Sequence, residues 1–161
     1  MKNSKILLYA LIVSLFQITL FQTFRFFDVL PNIALVFVVV ISIFYDELTS
    51  IKFAVLVSLF IDILVGRGVG IYIVFFLLIS FLMNRVFSTL FKDKLITPFI
   101  LISLATIILF IFMCLFRYFT MGSMKSILWC IKVLILEIVY NNLIGIPIYN
   151  FVMVIFSHKR F

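Results

Sequence analysis

Residues 95–116 read LITPFILISLATIILFIFMCLF, and this stretch contains no charged side chain. At about 1.5 Å of rise per residue, a helix of this length crosses the hydrocarbon core of a bilayer, which is about 30 Å thick. The stretch therefore predicts a membrane-spanning helix, and it sets the solvent in which every other segment of the chain has to be interpreted.

The composition of the whole chain points to the same environment. Of its 161 residues, 66% are hydrophobic and only 12% are charged. A soluble domain is about half apolar and about a quarter charged, so this chain has too few polar side chains to cover a surface in water. The sequence predicts an all-α integral membrane protein in which residues 1–161 form a single membrane domain.

Charge-free runs and turn signals predict six transmembrane helices, of which the second and third are short. They cover about residues 6–24, 32–44, 51–65, 70–91, 95–116 and 127–156. The first run is longer than the apolar part of a signal peptide, and no small-residue cleavage site follows it. The predicted connections include a hairpin turn YDELTSIK at 45–52, a basic turn KDK at 92–94 and a loop RYFTMGSMK at 117–125.

Basic residues predict the orientation of these helices. The formal charge is +7, and the bases cluster at the ends of apolar runs, a pattern that indicates membrane lipids and argues against nucleic acid. If both termini are cytoplasmic, the inner side holds Lys2, Lys5, Lys52, Arg85, Lys92, Lys94, Lys159 and Arg160. The outer side then holds only Arg25, Arg67, Arg117, Lys125 and Lys132. This asymmetry favours a multi-pass protein with both termini in the cytoplasm.

An intramembrane carboxylate stands in the stretch FIDILVGRGVG at 60–70. Charged side chains are costly in apolar surroundings, so Asp62 is either a functional ligand or a structural tie. The structural interpretation is preferred, because Asp62 lies one turn before Gly66, near the predicted outer surface. We expect it to bind an outer arginine or backbone N–H groups of the glycine turn, with Gly66 ending one helix and Gly70 allowing the next to begin.

Further polar residues lie inside or at the start of other predicted helices. Gln17 lies on the first helix, while Glu137 and Asn141 share one face of the last helix because they are four residues apart. Such residues hold helices together or contact a partner's transmembrane segment. A proton relay would need a series of acids and histidines across the bilayer, which the sequence lacks. Pro31 suits the opening of the second helix, and Asn32 suits its cap.

The sequence offers no convincing catalytic or cofactor-binding motif. It contains no Ser–His–Asp or Cys–His set, no HExxH pattern and no phosphate-binding loop. Its single histidine, His158, lies in a basic tail, and Cys114 and Cys130 lack the spacing of a metal site and are interpreted as small hydrophobic residues. We therefore expect a protein that is not an enzyme and that binds neither a cofactor nor a metal ion.

Four features form an ordered set along almost the whole chain. They are Gln17, LPNIALVFVVV at 30–40, FIDILVGRGVGIY at 60–72 and NNLIGIPIY at 141–149. This set resembles the MreD family, the small polytopic membrane proteins of the bacterial rod-shape system, or elongasome. In that family a Pro-Asn or Pro-Asp pair opens the second helix, an Asp precedes a glycine turn, and a late Asn and Pro mark the last helix. Arg67 stands where small residues are common in the family.

The resemblance implies a function and a set of site residues. It implies a non-enzymatic scaffold of the bacterial cytoplasmic (inner) membrane that binds MreC. Through MreC, the scaffold would connect the MreB cytoskeleton to the peptidoglycan synthases, RodA and a class B penicillin-binding protein, and so help to control cell shape. The residues given structural or partner-interface roles by the resemblance are Pro31, Asn32, Asp62, Gly66, Gly70, Asn142 and Pro147. Pro147 is also expected to kink the last helix.

The same resemblance leaves a second function open. The MreD fold is thought to be similar to the substrate-binding S-components of energy-coupling-factor transporters, which also have six helices. An S-component would bind a vitamin or metal ion in an outward-facing pocket and dock on ATPase-driven partners. Such a pocket needs several convergent polar groups, and the predicted outer loops are short and offer few. An intramembrane enzyme is a third and weaker alternative.

Overall fold

The structure is a computed structural model. It describes residues 3–23, 27, 29–65, 70–90, 96–122 and 126–157, without the side chains of residues 20–23, 87–90 and 155–157. Within these ranges the chain forms six helices and no strand: α1 (Asn3–Thr23), α2 (Ile33–Phe44), α3 (Glu47–Val65), α4 (Ile71–Leu90), α5 (Ile96–Met121) and α6 (Ile127–Ser157). The prediction of an all-α protein is confirmed.

Helix α2 lies at the centre of the bundle and contacts each of the other five helices. Nine of its 12 residues are buried, and only Phe37, Ile41 and Phe44 keep part of their surface exposed. A helix that is apolar on all sides suits this enclosed position. With 12 residues, α2 is about 18 Å long, so it is too short to cross a bilayer by itself.

The other helices surround α2 as an incomplete ring. Contacts join α1 to α3, α3 to α4, α4 to α5 and α5 to α6, whereas α1 and α6 do not contact each other in the described part of the chain. The partly exposed Phe37, Ile41 and Phe44 are spaced so that they share one side of α2. Since the ring is open only between α1 and α6, we infer that they form the floor of this gap, which we call the α1–α6 opening. Phe44 also packs on Tyr149 of α6, with ring centroids 5.1 Å apart.

Three helices, α3, α5 and α6, are long and apolar enough to cross a membrane. The apolar stretches of the other three are shorter when counted over described residues: Asn3–Thr19, Ile33–Phe44 and Ile71–Val86. The three long helices indicate a membrane protein. The prediction of six membrane passages, and of the side on which each terminus lies, stays a prediction.

Helix α3 is longer than predicted, and the turn before it is shorter. It begins at Glu47 instead of residue 51, because the Asp46 side chain caps it and accepts a hydrogen bond from the Thr49 N–H at 3.1 Å. Only Tyr45 and Asp46 lie between α2 and α3, so the prediction that YDELTSIK forms the turn is wrong for most of its residues. The expectation of a short third helix is also wrong, since α3 has 19 residues.

Helix α5 likewise continues beyond its predicted end. Residues 117–121 are helical, so the predicted loop at 117–125 is wrong for these positions. No glycine or proline stops the helix before Gly122, which has a φ of +63° and donates its N–H to the Tyr118 carbonyl at 2.9 Å. The predicted turn at 92–94 lies outside the described residues. Helix α6 runs through Pro147 as one helix, and a kink there stays a prediction.

Candidate functional site

The N-terminal end of α2 is held by side chains from its own cap and from α1. Asn32 is the N-cap, as predicted, and its Oδ1 accepts a hydrogen bond from the Leu35 N–H at 3.0 Å. Gln17 on α1 accepts from the Ala34 N–H at 3.2 Å and donates to the Pro31 carbonyl at 3.3 Å. A single amide on α1 therefore satisfies both a donor and an acceptor at the start of α2.

Asn141 on α6 closes the same end of α2. Its Oδ1 accepts from the Asn32 N–H at 2.7 Å, and its Nδ2 donates to the Thr106 hydroxyl of α5 at 2.9 Å. The Thr106 hydroxyl in turn donates to the Ile102 carbonyl at 2.8 Å. A chain of hydrogen bonds thus runs from α5 through α6 to α2. We call Gln17, Asn32 and Asn141 the amide cluster.

The amide cluster meets a physical requirement of a short helix inside a membrane protein. The first backbone N–H groups of any α-helix lack partners within the helix. In hydrocarbon no water replaces those partners, and each unsatisfied group costs several kcal/mol. Asn141 is fully buried and lies near the middle of the 31-residue α6, so the cluster lies deep in the bundle. The cluster is therefore best explained by a structural role, which is to satisfy the backbone N–H groups at the start of α2.

The C-terminal end of α2 is held by a second group of side chains, on α3 and α4. Asn84 on α4 donates to the Ser42 carbonyl at 3.0 Å and lies 3.4 Å from the Tyr45 carbonyl. The Ser42 and Ser80 hydroxyls are 3.1 Å apart, and the Ser50 hydroxyl of α3 reaches the same turn of α2. Sequence reasoning missed these roles, because one Ser or Asn in an apolar run does not indicate what it binds.

Asn142 lies next to the amide cluster but binds other groups. Its Nδ2 donates to the Ser103 hydroxyl of α5 at 2.9 Å and to the Ile138 carbonyl at 2.8 Å. Its Oδ1 is buried and has no hydrogen-bond partner among the described residues. Asn142 therefore joins α6 to α5, while its oxygen retains the capacity to accept a further hydrogen bond.

Gly145 allows α6 to pack closely on its neighbours. A Cβ at this position would overlap the Ile102 side chain and would lie 3.2 Å from Cγ1 of Val36. Gly145 was not among the predicted site residues, although its spacing of four from Asn141 places both on one face and small residues mark close helix packing in membranes. Pro147, which was among them, is exposed at the surface of the bundle.

Asp62 binds the glycine turn, which is one of the two contacts expected for it. It is only 3% exposed, and its Oδ2 accepts from the Gly70 N–H at 2.8 Å. Gly70 has a φ of +117°, a conformation that residues with side chains rarely adopt. Asp62 thus connects the end of α3 to the start of α4. Arg25, Gly66 and Arg67 lie outside the described residues.

Glu137 is separate from the amide cluster. Its side chain is partly buried, and no hydrogen bond or ion pair joins it to another described residue. Neither Lys132 nor Arg117, the partners considered from the sequence, forms an ion pair with it. A contact between Glu137 and a partner's transmembrane segment stays a prediction.

A cavity of about 710 Å³ lies between α4, α5 and α6. Its wall combines aromatic side chains such as Tyr72 and Trp129 with the polar groups of Arg117 and Thr120. Pockets that bind small molecules have volumes of about 300–1,000 Å³ and a few polar groups on a mostly apolar wall. The cavity has a volume in this range, while Arg117, Thr120 and Met121 of its lining are exposed.

Neither a metal-binding cluster among the described residues nor a comparison with known proteins identifies the function of these sites. Within the described ranges, no group of three or more His, Cys, Asp or Glu residues is arranged to hold a metal ion. No family model matches the chain, and neither a curated protein nor a solved structure matches it.

Proposed function

We propose that this protein is a non-enzymatic membrane scaffold of the MreD kind, which binds an MreC-like partner and helps to position peptidoglycan synthases. One observation carries the proposal. Gln17, the Pro31–Asn32 pair and Asn141 belong to segments that carry the resemblance, and they meet at one end of α2, although Asn141 is 109 residues from Asn32. The resemblance would lead us to expect that these segments act together, and their contact at one end of α2 supports it.

The proposed mechanism is packing around a fixed central helix. The hydrogen bonds at both ends of α2 hold α1, α3, α4 and α6 in one arrangement relative to it. A partner helix in a membrane gains little from hydrophobic transfer, because lipid is as apolar as its own side chains, and it binds by close packing to a fixed surface. A scaffold of this kind needs a rigid surface and no reactive group.

For the contact surface we propose the α1–α6 opening. The ring of helices is interrupted there, and Phe37, Ile41 and Phe44, the only residues of α2 that keep part of their surface exposed, would form its apolar floor. One transmembrane helix added at this place would complete the ring and cover α2. MreC of the resembled system crosses the membrane once, which fits one added helix. RodA, the penicillin-binding protein and cytoplasmic MreB would then be reached through MreC.

The proposal places the protein in a bacterial cytoplasmic membrane, with six membrane passages and both termini in the cytoplasm. The asymmetry of basic residues supports this orientation. In this arrangement α2 need not reach from one membrane surface to the other. Side chains at its two ends form the hydrogen bonds with its terminal backbone groups that water would otherwise form.

Co-purification tests the proposal. The tagged protein would be isolated in a mild detergent from the membranes of its own organism, and the recovered proteins would be identified by mass spectrometry. We expect an MreC-like protein together with cell-wall synthases. Asp62→Ala, which removes the acceptor for Gly70, is expected to reduce this recovery, whereas Asp62→Asn keeps an oxygen and serves as the matched control. Unchanged recovery with Asp62→Ala would contradict the role of this turn.

Photocrosslinking tests the contact surface. A photoreactive residue at Ile41, on the floor of the opening, should crosslink to the partner. The same residue at Val74, which is 62% exposed on α4, should not. Crosslinks from Val74 but not from Ile41 would reject the opening as the contact surface. The scaffold proposal itself would still be tested by the co-purification.

The second candidate function is that of an S-component-like subunit which binds a small molecule for an energy-coupling-factor transporter. The cavity between α4, α5 and α6 is the observation that favours it. Native mass spectrometry of the purified protein would then show a bound small molecule, and an ATPase pair with a second membrane subunit would be recovered. That result would replace the scaffold proposal.

A further inference from the structure

The cavity between α4, α5 and α6 lies at one end of the bundle. Its lining includes Ile71 and Tyr72 at the start of α4, and Trp129 in the first turn of α6. On α5 the lining runs from Phe110 to Met121, the last residue of that helix, which is a distance of about 16 Å along the helix axis. The cavity therefore extends from the end of the bundle towards its apolar interior.

The depth of the cavity in the membrane follows from α5. Residues 95–116 carry no charge and are long enough to cross the hydrocarbon core, so Arg117, the first charged residue after them, lies where hydrocarbon meets the headgroups. Tyr72 and Trp129 line the same cavity, and Trp and Tyr favour this interface in membrane proteins. Phe110 lies about 10 Å deeper along α5 than Arg117 does.

The lining changes from polar to apolar with depth. Arg117 and Thr120 are exposed at the interfacial end of the cavity, whereas Phe110 and Met113 form part of its deeper wall. Arg117 forms no ion pair with a described residue, and none of the described residues that line the cavity is acidic. A guanidinium in this position attracts a phosphate group, and the deeper wall suits a hydrocarbon chain.

We propose that this cavity binds an anionic phospholipid of the surrounding membrane, with its phosphate at Arg117 and part of one acyl chain along Phe110 and Met113. The lipid would connect α4 with α6, which do not contact each other in the described part of the chain. A soluble anion would use only the polar end of the cavity, whereas a lipid uses both ends. The inference rests on the membrane character of the chain and does not depend on the identity of its protein partner.

Native mass spectrometry of the whole chain tests the proposal. The protein would be purified in a mild detergent, freed of lipid and mixed with equal amounts of phosphatidylglycerol and phosphatidylcholine that carry the same acyl chains. We expect the anionic lipid to be bound about fivefold more, which is the effect of one basic side chain near a membrane surface. Equal binding of the two lipids would overturn the proposal.

Variants assign this preference to the cavity. Arg117→Gln should remove most of the preference, and Arg117→Lys, which keeps the charge, should retain most of it. Lys132→Gln is the matched control, because Lys132 is an exposed base on α6 that does not line the cavity. Without lipid, all three variants should unfold at the temperature of the wild type, since both side chains are exposed. A preference that Arg117→Gln leaves unchanged, or that both Gln variants reduce equally, would overturn the proposal.

Photocrosslinking of the unchanged protein measures the depth of the lipid. A phosphatidylglycerol with a photoreactive group in the middle of one acyl chain should attach mainly to Phe110 and Met113. Val139, which is 46% exposed on α6 and does not line the cavity, is the reference for contact with bulk lipid. Attachment at Val139 as often as at Phe110 and Met113 would show bulk lipid only and would overturn the proposal.

Glycerol phosphate separates a lipid from a soluble anion. It carries the phosphate but no acyl chain, so at equal concentration it should not displace phosphatidylglycerol from the protein. Displacement would overturn the lipid proposal and would support the second candidate function, in which the same cavity holds a small soluble molecule. Neither result bears on the scaffold proposal, which the co-purification tests separately.

Discussion

The two ends of α2 are held in different ways. At the N-terminal end, three side chains each accept a hydrogen bond from a different backbone N–H group: Gln17 on α1, Asn32 at the cap of α2, and Asn141 on α6. At the C-terminal end, the Asn84 amide binds backbone carbonyls, and the Ser50 hydroxyl reaches the same turn. The first end is a set of one-to-one contacts, whereas the second is centred on a single amide.

The difference follows from the groups that need partners and from the distance to water. A backbone carbonyl has two lone pairs and tolerates incomplete pairing better than a buried N–H group does. The C-terminal end of α2 is also close to water, because Asp46 is exposed and Glu47 forms an exposed ion pair with Arg85 at 3.9 Å. We therefore expect the N-terminal end to be the more sensitive of the two, which four substitutions would test.

The largest effect is expected from Gly145→Leu, which breaks the N-terminal end by displacing α6. The new side chain would overlap Ile102 and press on Val36 of α2, and such overpacking costs about 1–3 kcal/mol and occasionally more. Thermal or SDS unfolding in detergent would measure the loss. Asn150→Leu, at an exposed position of the same helix, is the control and should change little. Equal stability of the two variants would show that α6 does not need its close approach to α2.

A smaller loss is expected from Asn141→Ala. It leaves the Asn32 N–H without its acceptor and the Thr106 hydroxyl without its donor, and an unpaired buried polar group costs about 1–3 kcal/mol. The same unfolding assay measures the effect, with Asn150→Ala as the exposed control. A variant as stable as the wild type would show that the N-terminal end finds another partner, and the proposed difference between the two ends would be lost.

Asn84→Ala should cost less than Asn141→Ala, about 1 kcal/mol or below, because water near this end replaces part of what the amide provides. The free energy of unfolding of the two variants, measured side by side, tests the comparison directly. A larger loss for Asn84→Ala would reverse the comparison. It would mean that the single amide at the C-terminal end is the contact on which α2 depends.

The smallest effect is expected at Asp46, in the turn after α2. Hydrogen bonds from the Thr49 side chain and backbone N–H hold the pKa of Asp46 below its usual value. Since the pKa is lower in the folded state, the stabilisation is present above the unfolded-state pKa and is lost as pH falls through the folded-state pKa. Asp46→Ala should cost about 0.5–1 kcal/mol at neutral pH, as for other helix caps.

The pH dependence of this difference is its test. The difference in unfolding free energy between the wild type and Asp46→Ala should shrink as the pH falls below the unfolded-state pKa of an Asp, about 4, and through the lower pKa of Asp46 in the folded state. Asp46→Asn keeps a capping oxygen that does not titrate and is the control. A difference that stays constant into the acid range would show that the charge of Asp46 does not contribute to the cap.

Local signals predicted the helices well and their ends less well. The apolar runs identified all six described helices, and Asn32 was identified as the cap of α2 because its residue type and position suffice. The predicted start of α3 and the predicted end of α5 were wrong, because α3 begins at Glu47 and α5 ends at Met121. Charged or polar residues in YDELTSIK and RYFTMGSMK suggested turns, whereas a cap at Asp46 and a glycine at Gly122 determine the actual ends.

The sequence by itself indicated that the protein lies in a membrane, that it is all-helical, and which polar residues lie within its apolar segments. Composition and periodicity are properties of each segment alone, so no knowledge of other segments is needed to read them. Asp62, Gln17, Asn32 and Asn141 were all recognised in this way.

Only the tertiary structure decided what those residues bind. The partners of Asn141 lie at the start of α2 and on α5, those of Asn84 lie at the end of α2, and Asn142 joins α6 to α5. Each pairing depends on which helix faces lie opposite each other, and this is decided by packing around α2, where Gly145 permits close approach. Because an intramembrane polar group must find a partner and the chain contains several, the pairing is fixed only when all helices are in place.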